Sequence, residues 1–159
     1  MNEMKKIGCI ISLVFVGVLA FVFTATSYGY NGHMSIMNTD TLIYAQYARA
    51  MAEGHAYQFN AGDAPTTGST SHSYIWLLAI FYKLGFSGYQ IFDAMLVLNI
   101  LLLMGSVLFF WFILKKVARS LVWPGILLLV FSGHFSLVFM GFSDMGWFVF
   151  LLYGVWCLL

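Results

Sequence analysis

The sequence predicts an all-α, polytopic membrane protein: about four transmembrane helices, plus two interfacial helices in a long outer-side first loop. Three observations carry this prediction. Only 8% of the 159 residues are charged, against 62% hydrophobic, and the mean hydropathy is +0.89. A soluble domain has about 25% charged residues, so this composition cannot make a water-facing surface. The apolar residues also fall in long runs separated by short polar stretches, and the basic residues gather at particular ends of those runs. A net charge of +1 gives no electrostatic footprint for nucleic acid. Cys9 and Cys157 both sit in apolar runs and are expected to be buried thiols, not a disulfide or a metal pair.

The first apolar run, Ile7 to about Tyr28, is long enough for one span of about 20 residues. Lys5 and Lys6 precede it. The run is longer than the apolar stretch of a signal peptide and its cleavage pattern is weak, so we expect an uncleaved helix with a cytoplasmic N-terminus. The second run is Ile91–Leu114, closed by Lys115, Lys116 and Arg119. The third is Leu121–Met140, and the fourth begins at Met145 and continues to residue 159. The chain stops inside this apolar run, which leads us to expect the N-terminal part of a longer protein, organised as a single transmembrane module.

A shorter apolar stretch, Tyr74–Phe86, contains Lys83 and has about 13 residues, a length typical of interfacial segments. If it spanned, Lys115, Lys116 and Arg119 would fall on the outer side, against the positive-inside bias. Left at the interface, it puts them in the cytoplasm with Lys5 and Lys6. Residues Gly29 to Ser87 then form one outer loop. Within it, Leu42, Ile43, Tyr44, Tyr47, Ala48 and Met51 recur at spacings of three and four, which predicts a helix over Thr41–Glu53 with one broad apolar face. Thr39 or Asp40 can cap its start, and Gly54 can end it. The stretch "NAGDAPTTGSTSHSY" joins the two surface helices. Gly62, Asp63 and Pro65 are turn residues, and the hydroxyl-rich part after them suits an oxygen-rich ligand or plain solvent. The same topology puts Asp144, in "GFSDMG", on the side of Asp40.

The run "TDTLIYAQYARAMAEGHAYQFNAGDAPTTGSTSHSYIWLLAIFYKLGF" resembles the first outer loop of the GT-C superfamily of membrane glycosyltransferases. The matching residues are Asp40, Tyr47–Arg49, Gly54, Tyr57–Pro65, Thr66–Ser71 and the "LLAIFYKLGF" helix. "GFSDMG" is similar to the family's Ser-Gly-Met-Glu hairpin. The resemblance implies transfer of a sugar from a polyprenyl-phosphate donor to a glycan, lipid or protein acceptor on the outer side of a cytoplasmic membrane, expected to be prokaryotic. With one base and no evident protein nucleophile, the transfer would invert the anomeric carbon. Asp40 and Asp144 would be the catalytic acids. Arg49, His55, Asp63, Thr67, Ser71 and His72 would contact substrate. A divalent cation, Mg or Mn, would be held by Asp40 on the carrier phosphate. The family usually has two adjacent acids where this chain has Thr39–Asp40, and it has about ten or more spans. The alternative is a small non-enzymatic membrane subunit, or a transporter or scaffold fragment, that keeps the loop for binding. Each candidate also has a plainer role: N-caps for Asp40 and Asp144, an i,i+4 pair with Glu53 for Arg49, and a span-boundary position for Asp93.

Overall fold

The structure is a computed structural model that describes residues 3–34, 39–66, 71–132 and 144–158. Among these residues every regular element is a helix. In chain order they are α1 (Glu3–Asn31), α2 (Thr39–Ala52), α3 (His72–Lys83), α4 (Gln90–Val117), a short 3-10 turn (Arg119–Leu121), α5 (Val122–Phe131) and α6 (Asp144–Leu158). Two helices are long and apolar enough to cross a bilayer: α1, over Val14–Asn31, and α4. At about 1.5 Å per residue α4 exceeds the ~30 Å hydrocarbon thickness, and the apolar segment of α1 comes close to it. Among the described residues neither is mostly buried. Only 18% and 33% of these segments, respectively, are buried within the protein. Ile10, Val14, Val18 and Phe21 on α1, and Val97, Leu101 and Phe112 on α4, face outward.

Where α1 ends, the Tyr28 hydroxyl donates to Asp93 Oδ1 in the first turn of α4, at 2.5 Å. The two helices therefore run antiparallel, and Asp93 joins them, which is more than the boundary role expected of it. α5 turns back from the end of α4, with Gly125 against Leu114. Phe131 at its far end meets Phe15 in the middle of α1, with ring centroids 4.1 Å apart. Pro124 lies in the first turn of α5, where a missing N–H costs nothing. The 20-residue third run was expected to form one helix, but α5 ends at Phe131. Ser132 is extended, and its hydroxyl donates to the Leu129 carbonyl at 2.9 Å, competing with the helical ladder. The rest of that expected span lies outside the described residues.

α6 lies parallel to α4 and in register with it. Gly105 of α4 accommodates Phe150, and Gly154 of α6 accommodates Phe109. A methyl group at Gly105 would come within 2.6 Å of the Phe150 ring. Phe109 and Phe150 pack at 5.2 Å, and the Cys157 thiol, half-buried, donates to the Phe109 carbonyl at 3.3 Å. Small residues that let large rings approach are the usual means of packing helices where no water drives association.

The surface helices form where the periodicity predicts, within two or three residues at each end. Both close with the same glycine device. His55 N–H reaches the Ala50 carbonyl and Gly54 N–H the Met51 carbonyl, while Phe86 N–H reaches Phe81 and Gly85 N–H reaches Tyr82. These are Schellman closures, with Gly54 and Gly85 at φ +94° and +96°. At the second, Phe86 also packs edge-on against Phe81 at 5.9 Å, the apolar contact that accompanies the motif. Thr39 and Asp40 lie inside α2 as its first two residues, not ahead of it as a cap. The broad apolar face is narrower than the spacing implies. Tyr44, Tyr47, Ala48 and Met51 are buried, whereas Leu42 and Ile43 are exposed.

Candidate functional site

α2 and α3 pack closely and run parallel. Tyr44 meets Tyr74 near their starts, with rings edge-on at 5.8 Å, and Arg49 and Glu53 stand beside Tyr82 near their ends. Parallel neighbours need a connection that returns along the full length of the first helix. That return is the geometric reason for the polar stretch. It is pinned to the middle of α2 by Gln46, whose amide donates to the Phe59 carbonyl at 2.8 Å and to Asn60 Oδ1 at 3.1 Å. Tyr47 packs on Phe59, and Tyr57, the one non-glycine residue at positive φ among the described residues, packs edge-on against His72 at 5.6 Å.

The sequence candidates fall into three groups. Asp63 is occupied by its own turn: Oδ2 accepts from the Asn60 backbone N–H at 2.8 Å and from the Asn60 amide at 3.1 Å. His55 belongs to the closure of α2, and Thr67 lies outside the described residues.

The second group gathers at the start of the α2–α3 pair. Asp40 is exposed in the first turn of α2, where the helix dipole favours a carboxylate. Asp144 occupies the same position in α6. Trp147, one turn further on, donates its indole N–H to the Ser73 hydroxyl at 2.9 Å, which brings the start of α6 to the start of α3, beside Ser71 and His72. Tyr74 lies at the centre of this end. It is fully buried, and its hydroxyl accepts from Asn99 Nδ2 of α4 at 3.3 Å. Burial pushes the Tyr74 phenol up to about 12, and the nearby Asp144 charge pushes the same way. The signal for Asn99 in the sequence is a lone amide inside a long apolar run. Its Nδ2 also donates to the Met95 carbonyl at 2.8 Å, and its Oδ1 is buried without a hydrogen-bond partner.

The third group lies at the opposite end of the pair, about nine residues or ~13 Å along α2. Here a cleft of about 540 Å³ opens between the ends of α2 and α3 and the start of α4. Its charged lining is Arg49, Glu53 and Lys83. Arg49 Nε stands 3.9 Å from Glu53 Oε1, the expected i,i+4 pair. Both side chains are more than half exposed, so the pairing is weak and leaves the guanidinium available to a stronger anion. Burial also raises the Tyr82 phenol, which Arg49 partly offsets.

As a metal site the arrangement is incomplete. Among the described residues no three His, Cys, Asp or Glu side chains converge. Asp40 would be one ligand at most, so no step is derived through a cation. No family model, curated protein or solved structure matches the chain.

Proposed function

We propose that this is an integral membrane protein whose α2–α3 pair binds a phosphate-linked sugar donor carried on a lipid, and that it belongs to a glycosyl-transfer system. The observation that supports this best is the separation of charge along one helix pair. Two cations, Arg49 and Lys83, outweigh the one acid, Glu53, in the cleft lining at one end, and two acids, Asp40 of α2 and Asp144 of α6, stand at the other. A donor lying along the pair would place its phosphate in the cleft, where the planar guanidinium matches two phosphate oxygens, and its sugar toward the acids. The exposed Leu42, Trp76, Ile80 and Leu84 offer an apolar surface for a lipid chain at the interface.

In the transfer step, an acceptor hydroxyl oxygen forms the new bond to the anomeric carbon as the bond from that carbon to the phosphate oxygen breaks. Asp40 takes the hydroxyl proton, and the bonding electron pair leaves with the phosphate, whose charge Arg49 and Lys83 offset. The four-span arrangement, the outer-side position of the pair and the prokaryotic cytoplasmic membrane belong to this same proposal.

The test is sugar transfer in native membranes carrying the full-length gene product, with polyprenyl-phosphate sugars as donors. Asp40→Asn keeps the shape of the side chain and removes the base. It should lower kcat by about a hundredfold or more with little change in KM. Arg49→Gln should mainly raise KM for the donor. Wild-type activity that both variants retain in full would overturn the assignment of these residues. Folded protein with no transfer from any donor would favour a binding subunit.

A further inference from the structure

At the other end of the bundle, an open cavity of about 370 Å³ lies between the end of α4, the 3-10 turn and α6. Its lining is Phe112, Lys115, Lys116 and Arg119, closed on one side by Cys157 of α6. Three of these five side chains are cations, and among the described residues no carboxylate side chain lines the cavity. Among the described residues none of the three cations forms an ion pair. Lys115 instead stands over the Trp111 ring at 5.0 Å, a contact that leaves its charge uncompensated.

The dipole of α4 accounts for part of this cluster, since cations are favoured in a helix's last turn, where Lys115 and Lys116 lie. It does not account for Arg119, which lies beyond the helix on the 3-10 turn, nor for the cavity that the three share with α6. The charges of the whole chain divide in the same sense. Lys5, Lys6, Lys115, Lys116 and Arg119 share this end with Glu3 as the only acid in sequence, while the other five acids belong to the opposite end.

We propose that this cavity binds a phosphate-ester anion, with Arg119 as the forked donor and Lys115 and Lys116 as point charges. Phe112, half exposed and part of the lining, gives such a ligand an apolar neighbour, as a phospholipid headgroup with its glycerol and acyl chains requires. The proposal rests on the membrane reading above, but not on glycosyl transfer.

The experiment uses the full chain, extracted from carbonate-washed membranes, a step that tests the membrane reading by itself. Native mass spectrometry then compares retention of phosphatidylglycerol and phosphatidylcholine, and thermal melting in detergent compares buffer with and without inorganic phosphate. The expected result is preferential retention of phosphatidylglycerol, reduced roughly tenfold in Lys116→Gln/Arg119→Gln, as loss of a charge-assisted contact implies. Lys5→Gln/Lys6→Gln removes the same charge elsewhere at this end and should leave the preference intact. If the first double variant does not fold, Arg119→Gln alone replaces it. A melting shift with inorganic phosphate that disappears in the Arg119 variant also supports the site, with the free anion as its ligand. Membrane-retained protein with no preference between the two lipids and no phosphate shift overturns the proposal, as does an equal loss in the Lys5/Lys6 control.

Discussion

Tyr74 and Asn99 show how one buried polar contact ties the short helix α3 to the long apolar helix α4. The phenol is the group most removed from solvent at the candidate site, and its hydrogen bond to Asn99 crosses from α3 to α4. Its folded-state value of about 12 lies above the ordinary 10.0. Below pH 10 the phenol is neutral whether folded or unfolded, so it has no effect on the pH dependence. Between pH 10 and about 12 the unfolded chain gains by ionising and the folded chain does not, so stability falls as pH rises through that window. Two units correspond to about 2–3 kcal/mol. Tyr74→Phe should therefore melt less steeply with pH across this window than wild type, and the slowest phenolate in an ultraviolet titration should disappear. At neutral pH the same variant should lose about 1 kcal/mol for the Asn99 hydrogen bond. An unchanged titration would place the buried phenol elsewhere.

Among the helices, backbone geometry and side-chain packing can be separated by three glycines. A methyl group at Gly85 would meet no atom within 4 Å, yet φ there is +96°. Gly85→Ala should cost about 1–2 kcal/mol through backbone strain alone. At Gly17, in the middle of α1, the surroundings are just as open and φ is not positive. Gly17→Ala should be neutral, or stabilising by up to about 1 kcal/mol. Gly105 is the packing case. Gly105→Leu would drive a side chain into the Phe150 ring and should separate α6 from α4, with a cost of several kcal/mol or failure to fold. Thermal melts of the three variants in one detergent provide the comparison; equal costs for Gly85 and Gly17 would remove the Schellman closure from this account.

The molecule as a whole has two ends of opposite charge joined by an apolar middle, and the proposed topology assigns each end to one side of the membrane. A cysteine at position 63, in the exposed turn beside Gln46, should react with an impermeant maleimide from outside intact cells. A cysteine at position 119 should react only after the cells are opened. Labelling of both from outside would reject the orientation and, with it, the outer-side sugar site.

The chain's chemistry made its class and its helices legible in advance. Apolar runs matched to bilayer thickness, and a three-and-four periodicity between a polar start and a terminal glycine, are local properties. α1, α2, α3, α4 and α6 therefore appear close to their expected bounds. The sequence-based topology put Asp144 on the side of Asp40, and the Trp147–Ser73 hydrogen bond places the start of α6 beside the start of α3. The sequence did not show that α2 and α3 run parallel, and so it left the polar stretch open between an oxygen-rich ligand and plain solvent without showing that part of it is a return strap. It offered Arg49 as a substrate contact or a partner of Glu53, without showing that the cleft it lines lies at the far end of the pair from Asp40. The pairing of Asn99 with Tyr74, and of Phe150 with Gly105, is likewise invisible in one dimension. Contacts between residues far apart in the chain depend on how helices pack, and packing is settled by the shapes of many side chains at once.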